Sequence, residues 1–174
     1  MKKETLTVKT DEHGTVKYYN ASGELHNPDG AALVRADGYK AYLINGNLHN
    51  PNGPAIVDTD GSKAYYINDK RHNENGPAVI YADGCKAYYI NDKRHNENGP
   101  AVIYANGSKS YFINGNLHNP HGPAMVWADG DKYYWINGKE LTEAEFTAWQ
   151  AKQSAPLHNK TATIDGIEYT LTAK

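Results

Sequence analysis

Five histidines, His26, His49, His72, His95 and His118, stand 23 residues apart. Imidazoles at a fixed interval invite two chemistries, metal ligation and acid–base catalysis. Two of them carry extra cations: Lys70 and Arg71 precede His72, and Lys93 and Arg94 precede His95. Such an edge could hold a phosphate or a nucleotide through charge-assisted hydrogen bonds, although Glu74 and Glu97 lie close enough in sequence to neutralise it. Spacing argues against a shared metal. If each 23-residue unit adds two strands at about 4.8 Å, equivalent histidines lie about 10 Å apart, whereas a Zn–N bond is about 2.0–2.1 Å. No metal and no cofactor is expected. The imidazoles instead sit where they can hydrogen-bond loop carbonyls or amides left unsatisfied by the strands.

Catalysis requires a nucleophile, a base and an oxyanion or metal site that converge once. Here the polar residues are spread evenly along the chain, so no catalytic residue is assigned and no enzyme is expected. The single thiol, Cys85, replaces a Tyr, Ser or Asp at a turn and reads as an incidental exposed residue.

The elements that position these residues are repeats. The unit runs Gly-x-Lys-x-Tyr-Tyr-Ile-Asn-Gly-x-Leu-His-Asn-Pro-x-Gly-Pro-Ala-x-Val-x-Ala-Asp, and residues 63–82 are identical to residues 86–105. Pro-Ala-Val-Ile-Tyr-Ala reads as one strand, Asp-Gly as a two-residue hairpin turn, and Lys-Ala-Tyr-Tyr-Ile-Asn as a second strand. Asn-Gly or Asn-Asp then opens the link to the next unit. One hairpin is marginal in water, so neighbours must stack. The expected fold is mainly β: an elongated stack of tandem β-hairpins, with one short C-terminal helix and a terminal hairpin.

Both ends depart from the unit. In the first copy Lys17 and Tyr19 fit, Gly14 falls one residue out of register, and Ala31 replaces the Pro; in the last, Leu141 stands where His is due. Two regions are expected: repeats with an N-terminal capping strand over 1–140, and a C-terminal cap over 141–174. Thr142-Glu143-Ala144-Glu145 is a capping box, predicting a helix over about 142–153. Asp165-Gly166 predicts a hairpin over about 160–173.

The chain has 174 residues, a net charge of −2, 14 Tyr, 16 Gly and 8 Pro. It lacks the basic field that binds phosphate backbones or anionic membranes, so neither nucleic acid nor a membrane is an expected partner. One cysteine allows no internal disulfide. No signal-length apolar run follows Met1, which makes a cytoplasmic location the expectation.

The Tyr-Tyr-x-Asn-Gly strand end at this period resembles the MORN repeat over about residues 14–140. The His-Asn-Pro-x-Gly-Pro-Ala segment departs from the common MORN pattern, so the likeness is to a divergent branch. The whole phrase, ending in Asn-Gly-Lys-Glu-Leu-Thr-Glu-Ala-Glu-Phe, is similar to repeat proteins encoded by tailed bacteriophages and some bacteria. The MORN resemblance implies stacked hairpins and a non-enzymatic scaffold that binds other proteins, with lipid binding also proposed for the class.

Strand alternation sorts each unit into two faces. Tyr42, Tyr65, Tyr88, Tyr111 and Tyr134 share parity with Ile44, Ile67, Ile90, Ile113 and Ile136 and with Val34, Val57, Ile80, Ile103 and Val126; their sameness suggests packing. The opposite parity varies and grows aromatic: Arg35 with Leu43, Asp58 with Tyr66, Tyr81 with Tyr89, Tyr104 with Phe112, Trp127 with Trp135. Exposed, that row would bind a protein partner, so Tyr66, Tyr81, Tyr89, Tyr104, Phe112, Trp127 and Trp135 are the candidate contacts. If phage-encoded, such a protein would act in the host cytoplasm, inhibiting a host or defence protein. The alternatives are ligand sequestration at the edge of Lys70, Arg71, His72, Lys93, Arg94 and His95, and a structural scaffold. Monomer and homo-oligomer remain equally open.

Overall fold

A computed structural model describes residues 5–154, 160–165 and 167–171. A 13-stranded antiparallel sheet dominates it, with its strands following one another along the chain. At about 4.8 Å per strand the sheet is about 60 Å long, so the repeats form an elongated stack. It begins with Thr7–Thr10 against Val16–Tyr19. Each later repeat then contributes one short hairpin, from Leu33–Val34 with Lys40–Ala41 through to Met125–Val126 with Lys132–Ile136.

The unit contains two hairpins rather than one. After the sheet strand, Leu43–Ile44 pairs with Asn47–Leu48, and Tyr66–Ile67, Tyr89–Ile90 and Phe112–Ile113 pair with Lys70–Arg71, Lys93–Arg94 and Asn116–Leu117. The expected second strand therefore breaks at its first Tyr. The N–H of Tyr42 donates to the Ala55 carbonyl of the next repeat, while its carbonyl accepts from His49 of its own. Tyr65, Tyr88 and Tyr111 do the same with Ala78 and His72, Ala101 and His95, and Ala124 and His118. This residue belongs to the long sheet through its donor and to the side hairpin through its acceptor.

The turns exchange the expected roles. Asn-Gly, expected as a link, is the two-residue turn of the side hairpin: Asn45 and Gly46 have φ of 49° and 78°, the left-handed pair a type I′ turn demands. Asp-Gly closes a three-residue loop instead. Arg35 and Tyr39 bracket it, Gly38 alone has positive φ, at 98°, and the Asp37 carboxylate accepts the Tyr39 N–H at 3.0 Å.

The first copy is also offset from its expected alignment. Asp11 bonds Thr15 as Arg35 bonds Tyr39, and the Tyr18 N–H donates to Ala32 as that of Tyr42 donates to Ala55. Gly14 is therefore in register, and Val16 and Tyr18, not Lys17 and Tyr19, occupy the repeat positions. The extra residue lies downstream, where Ala21–Gly23 form a three-residue loop between Asn20 and Glu24.

The core is thin. Ala32, Ala55, Ala78, Ala101 and Ala124 are each 0% exposed, where the chain enters the long sheet after the bend that follows each His. Val79, Ala87 and Val102 pair across three strands and share one face, and Tyr89 packs on them. The opposite face carries exposed Lys40, Lys63, Lys86, Lys109 and Lys132 in register with Val34, Val57, Ile80, Ile103 and Val126.

At the C-terminal end, helix α1 spans Glu143–Ser154. The capping box forms: the Glu145 N–H donates to Thr142 Oγ1 at 3.2 Å, and Thr142 N–H and Oγ1 donate back to Glu145 Oε2. Those donors hold the Glu145 carboxyl below its usual range. Phe146 is buried against Tyr134, with ring centroids 4.8 Å apart, and Tyr134 donates its hydroxyl to Glu143 Oε1 at 2.9 Å. The last Tyr of the regular row thus packs against the helix. Lys160–Ile164 and Ile167–Leu171 form the terminal hairpin; the end of its expected span, at 172 and 173, lies outside the described residues.

Candidate functional site

The histidines are joints between repeats. His26 Nδ1 accepts the backbone N–H of Asn45 at 3.0 Å, and His118 Nδ1 that of Asn137 at 3.0 Å. His49, His72 and His95 Nδ1 lie 2.8, 3.1 and 3.1 Å from Oδ1 of Asn68, Asn91 and Asn114. Each imidazole therefore meets the first left-handed residue of the following side hairpin. The Asn after each His shapes the next bend: Asn73 Nδ2 donates to the Pro77 carbonyl at 3.0 Å while Oδ1 accepts the Asn75 N–H. Among the described residues, no three His, Cys, Asp or Glu side chains gather as a metal site.

The cationic edge divides into unlike halves. Asp69 and Asp92 occupy the turn position held elsewhere by Gly, at φ of 60° and 64°. Each offsets that strain with a carboxylate bond to the preceding repeat, Asp69 Oδ1 to the Leu48 N–H and Asp92 Oδ1 to the Arg71 N–H. Asp92 also takes Arg71 Nε at 2.6 Å, and this guanidinium holds the Asp92 carboxyl below its usual range. Arg71 lies over Tyr89, its guanidinium carbon 4.1 Å from the ring centroid. Arg94 has no such carboxylate, because Gly115 stands at the position equivalent to Asp92. Its Nε donates to the Tyr89 hydroxyl at 3.3 Å, and its guanidinium carbon is 5.2 Å from the Phe112 centroid. His72 and His95 have Nε2 at 3.4 and 3.6 Å from Glu74 and Glu97; Lys70 and Lys93 are exposed.

The aromatic positions form two rows on one face. Tyr66, Tyr89, Phe112 and Trp135 begin the inner strands of the side hairpins or their equivalent. Tyr89 is only 7% exposed and belongs to the core; Tyr66, Phe112 and Trp135 are half-buried. The outer row follows the first strand of each sheet hairpin and projects: Tyr81 is 50%, Tyr104 37% and Trp127 41% exposed. Arg71 and Arg94 lie over the inner row, so the aromatic stripe and the arginines of the cationic edge are one surface.

Two hollows open on that surface. One, of about 280 Å³, is lined by Tyr81, Tyr89, Tyr104, Arg94, Asp83 and Cys85 among others. The second, of about 340 Å³, is lined by Trp127, Tyr133, Trp135, Asp129, Asp131 and Glu140 with Met125. The indole N–H of Trp135 is buried beside this hollow, with no acceptor among the described residues. Tyr133 is a further exposed aromatic there; it stands where the four preceding repeats have Ala or Ser, a break in the pattern that sequence alone displays.

Cys85 is structural rather than incidental. Its sulfur accepts the Ala105 N–H at 3.2 Å, and the residue is half-buried, as Ser62 and Ser108 hydroxyls accept the N–H groups of Ala82 and Ala128. The thiol in turn donates to Asp83 Oδ2 at 3.3 Å.

Among the described residues no helix is long and apolar enough to cross a membrane. Compared with known proteins, the chain matches no family model and no curated sequence. Its function is therefore read from the surface itself.

Proposed function

We propose that this protein is a non-enzymatic, divergent MORN-like repeat module that docks a protein partner on its aromatic face. The observation that carries this reading is the outer row, Tyr81, Tyr104 and Trp127, exposed at the same position of three successive repeats. Large rings on a rigid sheet give contact area at little entropic cost, and Tyr and Trp dominate binding hot spots. In view of its phage-like repeat phrase, the partner we favour is a host or defence protein that the module inhibits in the bacterial cytoplasm.

The test is affinity capture from a bacterial lysate with wild type beside the Tyr81→Ala, Tyr104→Ala, Trp127→Ala triple variant. Tyr89 is left intact because removing a core ring would destabilise the repeat itself. A protein retained by wild type and lost, by about tenfold or more, from the variant is the expected outcome. Identical recoveries would remove the outer row as the site.

A further inference from the structure

Successive repeats offer a similar place between consecutive outer-row residues, but only one combines two projecting tyrosines with an unneutralised guanidinium. Between Asp58 and Tyr81 there is one ring, and the nearby Arg71 is held by Asp92. Between Tyr104 and Trp127 there are two rings, but the position equivalent to Arg94 is Leu117. Between Tyr81 and Tyr104 the hollow is lined by Tyr89 and Arg94, and Arg94 has no carboxylate partner among the described residues. The one carboxylate lining this hollow, Asp83, already accepts the N–H and the thiol of Cys85.

We propose that this hollow binds a nucleoside monophosphate, with the base stacked on Tyr104 and the phosphate on Arg94. The two walls stand two strands apart, about 10 Å, which leaves room for a planar ring between them. Every base presents a π-face, so aromatic side chains bind bases without requiring a particular one. A guanidinium presents a planar fork that suits phosphate oxygens, and Arg94 commits only its Nε, to a neutral hydroxyl. At about 280 Å³ the hollow is at the small end of ligand pockets, suiting a mononucleotide rather than a dinucleotide cofactor. The histidines take no part, since their Nδ1 atoms are committed to the neighbouring turn asparagines.

This site stands independently of protein docking, and its test contains no protein partner. The folded full chain is titrated by calorimetry with AMP, GMP, CMP and UMP, and with adenosine and inorganic phosphate alone. At least one monophosphate should bind in the micromolar range. Arg94→Gln should weaken that binding by about tenfold or more while leaving adenosine unchanged, and Arg94→Lys should restore part of it. Tyr104→Ala should weaken adenosine and monophosphate together, and Arg35→Gln, in a distant repeat, should change neither. Circular-dichroism melting of each variant separates loss of the site from loss of the fold. No heat with any of the four monophosphates at about 1 mM, or undiminished binding by a folded Arg94→Gln protein, would overturn the assignment.

Discussion

Arg71 and Arg94 hold the same place in two repeats that are identical over residues 63–82 and 86–105, yet their electrostatics differ because the residue 21 positions after each differs, Asp92 in one case and Gly115 in the other. The pair makes a definite prediction with pH. Arg71 depresses the Asp92 pKa in the folded chain, so the pair's contribution is fully present above the unfolded carboxylate value of about 4 and is lost as pH falls through the lower folded value. The side chains of Arg71 and Asp92 are 35% and 43% exposed, and solvent screening limits the contribution to about 1 kcal/mol or less. Urea unfolding of wild type and Asp92→Asn should show a stability gap at pH 7 that shrinks on acidification toward about pH 3; a gap independent of pH would exclude the ion pair as its source. At this scale the sequence displays the cations and the histidines, and it assigns the imidazoles to hydrogen bonds with loop groups, where the structure places them. It does not reveal which residue of the next repeat each meets. Those partners lie 19 to 21 residues away, and a register displaced by one residue would change them all. The role of Cys85 is hidden for the same reason, since its acceptor function is visible only once Ala105 of the neighbouring loop is placed beside it.

Among the elements, the hairpin stack and the C-terminal helix are legible because turn residues and the capping box act locally. What the pattern conceals is the division of the long strand at its first Tyr in the four central repeats, a residue shared between two sheets through its two backbone groups. Periodicity of two continues through such a break, so alternation cannot detect it. The turn types exchange places for a related reason: Asp-Gly and Asn-Gly both permit tight hairpins, and the number of loop residues is set by pairing on either side. The alanine row is likewise silent, since Ala is unremarkable in composition but here fills a junction with no exposed surface. Ala101 is 0% exposed beside Val102. Ala101→Leu should therefore overpack the junction and cost about 1–3 kcal/mol, read as a lowered urea midpoint with an unchanged slope. A neutral result would mean that the side hairpins yield easily and that the core is not close-packed at this point.

Over the whole molecule, sameness and variation divide between faces. The repeated Tyr, Ile and His residues build the stack and join one copy to the next, and α1 packs on the last Tyr of the row, Tyr134. The varied positions lie together on the other face, where the outer aromatics remain exposed although Tyr89 beneath them is buried. Parity identifies that face but cannot separate its projecting row from its packed one, because burial there depends on side hairpins that alternation does not reveal. The most direct test of protein docking places a photo-crosslinking phenylalanine analogue at Tyr81, Tyr104 or Trp127 and, for comparison, at Lys40, Lys63 or Lys109 on the opposite face. After irradiation in a bacterial lysate, the aromatic-face positions should each crosslink to the same foreign protein and the lysine positions should not. Equal crosslinking from both faces, or crosslinking from the lysine face alone, would contradict the assignment.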